Sequence, residues 1–248
     1  MKAEPNIKLS IVVPAFNEEK LLPACLESIR AAAEAIESPN WKWELIVCDN
    51  NSTDRTAELA AAADARVVFE PVNQIGRARN RGASIARGDW LLFVDADSTV
   101  PKILLEDLKE QIETKKIVGG GACITAEDEL ADQLRFPLFV WNQISRTMNW
   151  AAGSFLFCRR DVFEELGGFN LERFAGEELE LSRRIKRAAR PLGLRFVILR
   201  RAKILTSSRK CGLYSTRELL STLLGMILRY RKSTGSRDAC FLWYDGRR

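Results

Sequence analysis

The chain has 248 residues, 46% hydrophobic and 29% charged, enough apolar material for a full core and too much for wholesale disorder. Its net charge of +5 suits an anionic ligand such as a nucleoside diphosphate, or a weak attraction to an anionic membrane. The excess is too small to argue for a nucleic-acid partner, and no zinc-finger, RRM or helix-turn-helix pattern supports one. Histidine is absent, which excludes Ser-His-Asp chemistry, HExxH zinc sites and histidine acid–base catalysis. A general base at neutral pH is then expected to be a carboxylate, or less often a lysine, tyrosine or cysteine.

The length fits a single large domain, residues 1–248, with no linker or internal repeat. Six scattered cysteines form no CxxC pair and read as small buried hydrophobes of a reducing compartment. No signal-like leader and no run of about 18 apolar residues is present, so a cytoplasmic location is expected.

In chain order, "KLSIVVPAF" (Lys8 to Phe16) is a β-branched strand, expected to stop at Pro14, and Leu22, Leu26, Ile29 and Ala33 recur at helical spacing after it. "WELIVCD" (Trp43 to Asp49) is a second buried strand, with Ser52 or Thr53 expected to cap an alanine-rich helix reaching Ala63. Ala65 to Glu70 is a third strand. Ile75 to Ala86 is helical and expected to close at a left-handed Gly88. Trp90 to Val94 is a strand apolar enough to be buried on both faces. Strands are then expected in Gly119–Thr125, at the start of Gly153–Phe169 and in "LRFVIL", and helices over Glu129–Asn149, Glu177–Arg190 and Ser215–Arg231. The alternation indicates an α/β domain whose mostly parallel central sheet is flanked by helices, and such sheets bind ligands at the carboxyl ends of their strands.

Asp49 and the pair Asp95 and Asp97, with Ala96 between them, fall at such ends. Residues two apart at a strand end project to the same side, so Asp95 and Asp97 can share one hard cation, Mg²⁺ or Mn²⁺, completed by substrate phosphates. The plainer alternative is a turn in which Asp97, Ser98 or Thr99 caps a helix with Pro101 in its first turn.

Five segments, "IVVPAFNEE", "VCDNNSTDRT", "NQIGRARNRGASIARGDWLLFVDADS", "GSFLFCRRDVFEELGGF" and "GEELELSRR", stand in the order and rough spacing of family 2 glycosyltransferases, and the chain resembles that family from about Lys8 to Arg209. The resemblance implies a GT-A (Rossmann-like) fold, with residues 1–125 as the nucleotide-sugar half, 126–214 as the acceptor and catalytic half, and 215–248 as a C-terminal amphipathic helix and tail. It implies that Pro14, Ala15, Asn17 and Glu18 wrap the nucleoside, that Asp49 accepts from the base, and that Arg79 touches the diphosphate or orders the site. By the same resemblance Asp95 contacts the ribose or the metal's water shell, and Asp97 is the direct metal ligand. Glu178 is the candidate catalytic base, standing where the family often has Asp, with Glu177 as the alternative.

The implied reaction moves a sugar from a nucleoside-diphosphate donor to an acceptor hydroxyl with inversion; the acceptor is a glycan, a lipid-linked molecule or a small molecule. Two other readings stay open: a sugar-phosphate nucleotidyltransferase, disfavoured because "PAFNEE" stands where a glycine-rich loop would, and a nucleotide-sugar-binding protein without activity. Many family members carry a histidine after the late strand, where this chain has "LTSSRK", and Ser207, Ser208 or Arg209 are candidates for the diphosphate there. The stripe Leu219, Leu220, Leu223, Leu224, Ile227 and Leu228 either packs on the domain or a partner subunit, or rests on an anionic membrane.

Overall fold

The computed structural model describes residues 7–126 and 131–207. Within them one sheet of eight strands runs in the order β3-β2-β1-β4-β7-β6-β8-β5. The strands are β1 (Ile7–Ala15), β2 (Lys42–Asp49), β3 (Arg66–Phe69), β4 (Trp90–Val94), β5 (Ser98–Thr99), β6 (Ile117–Ala126), β7 (Phe155–Arg159) and β8 (Arg195–Thr206). The parallel ladders β3-β2-β1-β4 and β6-β8 share one direction, and β7 and β5 run against them. The helices are α1 (Leu22–Ile36), α2 (Thr56–Ala62), α3 (Ile75–Ala83), α4 (Lys102–Glu113), α5 (Ala131–Met148), α6 (Arg160–Glu165) and α7 (Glu177–Ala189).

Alternation along the strands builds a core on each face of the sheet. Ile11, Val13, Leu92 and Val94 join Leu22, Leu26, Leu104 and Leu108 of α1 and α4 on one face. Val12, Leu91 and Phe93 join Phe163, Leu181 and Ile185 of α6 and α7 on the other. Phe93 is fully buried and meets Phe169 edge-on at 5.0 Å and Phe163 at 5.3 Å. Residues continuously apolar from Trp90 to Val94 are what such a doubly covered strand requires.

Several local expectations change. β1 runs through Pro14, which pairs in register with Cys48; pairing with β4 ends at Val12, so no ladder bond on that side is lost to the missing N–H. Ser52 and Thr53 do not cap α2, which begins at Thr56 behind the Asp54 carboxylate that accepts from Thr56 N. α3 ends at Ala83, and Gly88 is set by close approach rather than by a left-handed turn: a Cβ there would lie 2.6 Å from Ser10 N. Ser98 and Thr99 form β5 against Leu205 and Thr206, so Pro101 itself precedes α4. After α7 a single 3-10 turn, Arg190–Leu192, carries Pro191 and closes at Gly193 with φ 65°.

Cys25, Cys48, Cys123 and Cys158 are buried free thiols. No helix among the described residues is long and apolar enough to cross a membrane. The expected C-terminal helix over Ser215–Arg231, together with Ser208 and Arg209, lies outside the described residues.

Candidate active site

The sheet reverses its winding between β1 and β4, β1 being followed by β2 on one side and flanked by β4 on the other. A crevice at the carboxyl ends of the strands is expected at that point. Asp49 ends β2, Pro14 and Ala15 end β1, and Asp95, Ala96 and Asp97 follow β4, so the sequence-derived donor residues share one edge.

Two loops at that edge are stitched together. Asn17, left-handed at φ 51°, donates its backbone N–H to Ser52 Oγ and accepts at Oδ1 from Thr53 N at 2.8 Å. Glu18 N donates to Thr56 Oγ1 at 2.8 Å and Glu19 N to Asp54 Oδ2 at 3.1 Å. The polar residues of "NEE" and "NNSTDRT" thus shape the crevice wall. Asp49 is buried and accepts at Oδ1 from Ser52 N at 3.0 Å.

Arg79 on α3 is the centre of the site. It is 2% exposed, yet its guanidinium donates through Nη1 to Glu177 Oε1 at 2.7 Å and through Nη2 to Asp95 Oδ1 at 2.8 Å. Nη2 also lies 3.3 Å from Gly153 O, and the guanidinium sits 5.3 Å over the Phe169 ring. Its Nε is buried without an acceptor among the described residues. Burial works against the cation, but Asp95, Glu177 and Glu178 outweigh it and hold its pKa above the usual arginine range. Gly153 is required by this arrangement, since a Cβ would stand 2.6 Å from Nη2.

Glu177 and Glu178 open α7 after Gly176, a left-handed residue at φ 70°, and the helix N-terminus favours both charges. The two carboxylates are not equivalent. Glu177 is 3% exposed and committed to Arg79. Glu178 is half-buried, and burial first, then the Glu177 charge, push its carboxyl up to about 8, with Arg79 opposing the rise.

Asp97 is half-buried, and its backbone oxygen accepts from Ser207 N at 3.1 Å, which ties β8 to the acidic pair. Burial first, then the charges of Asp97, Asp95 and Glu18, push the Cys25 thiol upward, so all three acids lie within electrostatic reach of it. No group of three or more potential metal ligands occurs among the described residues. For Mg²⁺ or Mn²⁺ one or two carboxylates with substrate phosphates suffice, and Asp97 and Asp95 meet that requirement. An edge rich in carboxylates around one buried guanidinium repels a diphosphate unless a further cation joins it, so the donor set fits a divalent ion.

Other α3 residues act where local patterns gave no sign of it. Gln74 Nε2 donates to Leu171 O at 2.8 Å and to Arg173 O at 2.9 Å, and Asn80 brackets Phe169 by accepting from its N and donating to its O. Together with Arg79 they clasp the loop before α7 to the first half of the chain. The available signal was an arginine among buried small residues, Gly76, Ala78, Gly82 and Ala83. Arg77 and Arg81 take no part in the clasp; Arg81 is exposed, with its Nε 3.4 Å from Phe69 O. Arg184 is spent on Glu180, Leu166 O and Gly168 O, and Arg183 lies 4.7 Å over the Trp150 ring.

A glycosyltransferase of Bacillus subtilis, EpsJ, is 29% identical over 202 residues, covering 68% of this chain and 57% of its own. A dolichyl-phosphate β-glucosyltransferase of Drosophila melanogaster is 35% identical over 107 residues, 39% of this chain and 33% of its own. The chain therefore spans little more than half of EpsJ and a third of the fly protein. Among solved structures, the Pyrobaculum calidifontis mannosyltransferase PcManGT in complex with GDP-Man and Mn²⁺ superposes with a TM-score of 0.64 at 20% identity, over 88% of this chain and 61% of that one. Staphylococcus aureus TarS 1-349 in complex with UDP-GlcNAc gives 0.63 at 17% identity, over 96% and 71%. These neighbours share the GT-A fold. The sequence profile described as Glycosyl transferase family 2 matches residues 10–167, more than half of the sequence, and the chain belongs to that family.

Proposed function

We propose that the protein transfers a sugar from a nucleoside-diphosphate donor to an acceptor hydroxyl. The observation that carries this reading is the Asp95–Arg79–Glu177 bridge, which joins the acidic pair at the end of β4 to the two carboxylates that open α7. The solved neighbours that hold UDP-GlcNAc or GDP-Man support a uridine or guanosine diphosphate sugar as donor.

Asp49 accepts from the base and the Asn17–Glu18 loop encloses the nucleoside. Asp97, with Asp95, would hold a divalent ion, whose charge would offset the negative charge of the diphosphate. Arg79 positions Asp95 and Glu177. Glu178 is the general base: its carboxylate takes the hydroxyl proton as the acceptor oxygen bonds to the anomeric carbon and the bond from that carbon to the diphosphate breaks. Attack opposite the leaving group inverts the anomeric centre. A carboxyl raised to about 8 is a stronger base than an ordinary glutamate, and Glu177, paired with Arg79, is the poorer choice.

The test is transfer and donor binding by Glu178→Gln and Glu177→Gln. Glu178→Gln is expected to bind the donor and lose most transfer. A Glu178→Gln protein with unimpaired transfer removes Glu178 from the base role. Donor binding without transfer by the unmodified chain favours a binding protein instead.

A further inference from the structure

The described part of α5 carries an apolar stripe that stays exposed among the described residues. Phe136 is 75% exposed and Phe139 59%, and Val140, Ile144 and Met148 continue the line at helical spacing, while Asn142 and Ser145 on the other side are buried. Contiguous exposed apolar surface of this kind marks an interaction site. The surroundings state what kind. From Arg135 to Met148 the helix has no acidic residue, and neither does β8 from Arg195 to Thr206. A cleft of about 660 Å³ between α5, β6 and β8 is lined by Phe136 and Phe139 together with Arg135, Arg146 and Lys203. β8 adds Arg200 through an irregularity in its pairing with β6, between the register positions Ala122↔Leu199 and Cys123↔Lys203. Arg146, Lys203 and Arg200 all act electrostatically on Cys123, so the three cations gather at the end of β6.

We infer that the α5 stripe and this cationic cluster form a docking face for an anionic lipid bilayer, with Phe136 and Phe139 entering the headgroup region and Arg146, Arg200 and Lys203 meeting lipid phosphates. Aromatic side chains with flanking Lys and Arg are the composition of interfacial helices, and each basic group adds electrostatic attraction to an anionic surface. An apolar partner protein or a second copy of the chain would not call for cations without acids along β8 and along α5 from Arg135 onward. The face adjoins the proposed active site. Ser98 pairs with Thr206, and Thr206 with Ala126, so the residue after Asp97 stands two strand spacings, about 10 Å, from the end of β6. A membrane-resident acceptor would thereby meet the donor edge; that last step rests on the proposed transfer reading, whereas the docking does not.

The experiment is flotation of the full chain with phosphatidylcholine vesicles and with vesicles of phosphatidylcholine and phosphatidylglycerol. The chain is expected to float with the anionic vesicles alone and to be released by raised salt. The exposed double variant Phe136→Asp/Phe139→Asp is expected to lower partitioning at least about tenfold. Arg146→Glu and Lys203→Glu should each lower it about fivefold or more. Unchanged circular dichroism and unchanged metal-dependent nucleotide binding show that the variants remain folded, independently of transfer. Absence of flotation, equal flotation with neutral vesicles, flotation unaffected by the substitutions, or a dimer dissolved by Phe136→Asp/Phe139→Asp each overturns the inference.

Discussion

Replacing Glu178 by glutamine separates stability from catalysis. Its carboxyl sits at about 8 in the fold against an ordinary 4.5, raised by burial and by Glu177. Below about pH 4.5 the group is protonated in both folded and unfolded chains and contributes no pH dependence. As pH rises from 4.5 towards about 8, the unfolded chain gives up the proton while the folded chain keeps it, so stability falls; above about 8 both are ionised and the loss levels off. At about 1.4 kcal/mol per pH unit of displacement the full loss approaches about 4–5 kcal/mol, and water reaching a half-buried side chain reduces it to about 2–3 kcal/mol. Glutamine carries no charge and has no such slope. Urea unfolding of the two proteins is therefore expected to give nearly equal stabilities at about pH 5, and Glu178→Gln more stable by about 2–3 kcal/mol at about pH 8. The same variant should bind nucleotide and lose most transfer. A stability gap that does not widen with pH, or a variant less stable at about pH 8, refutes the assigned environment of Glu178.

Arg79→Met leaves the Glu177 and Asp95 carboxylates facing each other without their cation, and is expected to cost about 3–5 kcal/mol in urea unfolding; a loss below about 1 kcal/mol would show that the bridge is slack. Gly153→Ala puts a methyl 2.6 Å from Arg79 Nη2, so the guanidinium or the Gly153 backbone must move. A cost of about 1–3 kcal/mol in stability with weakened nucleotide binding is expected, and unaltered binding would count against Arg79 as a positioning residue. Phe93→Ala empties the contact with Phe163 and Phe169 on the buried face and should cost about 3–5 kcal/mol, read as a lowered thermal midpoint with a cooperative transition.

The carboxyl ends of β1, β2 and β4 were legible in the sequence because three strongly apolar runs end in polar residues, and a doubly covered parallel strand has that pattern. The start of α7 was legible at Glu177 and Glu178, two successive acids that suit a helix N-terminus. What holds the halves together was not. Gln74 bonds to residues 97 and 99 positions away, and Arg79 to one 98 away, and no local period encodes such pairings. β8 extends beyond "LRFVIL" through Arg200, Arg201 and Lys203, whose charges break the apolar run while Arg201 spends its charge on Glu110 at the surface. The antiparallel insertion of β7 between β4 and β6 was equally hidden, since a strand buried on both faces reads the same in either direction.

The account turns on a donor site at the edge marked by Asp49, Asp95 and Asp97. The direct measurement is calorimetric titration of the full chain with UDP, GDP, CDP and dTDP, each with and without Mn²⁺, repeated on Asp97→Ala. One diphosphate is expected to bind only when Mn²⁺ is present, and Asp97→Ala is expected to abolish that binding without altering the fold. Binding of none of the four, or metal-dependent binding that survives Asp97→Ala, would contradict the site.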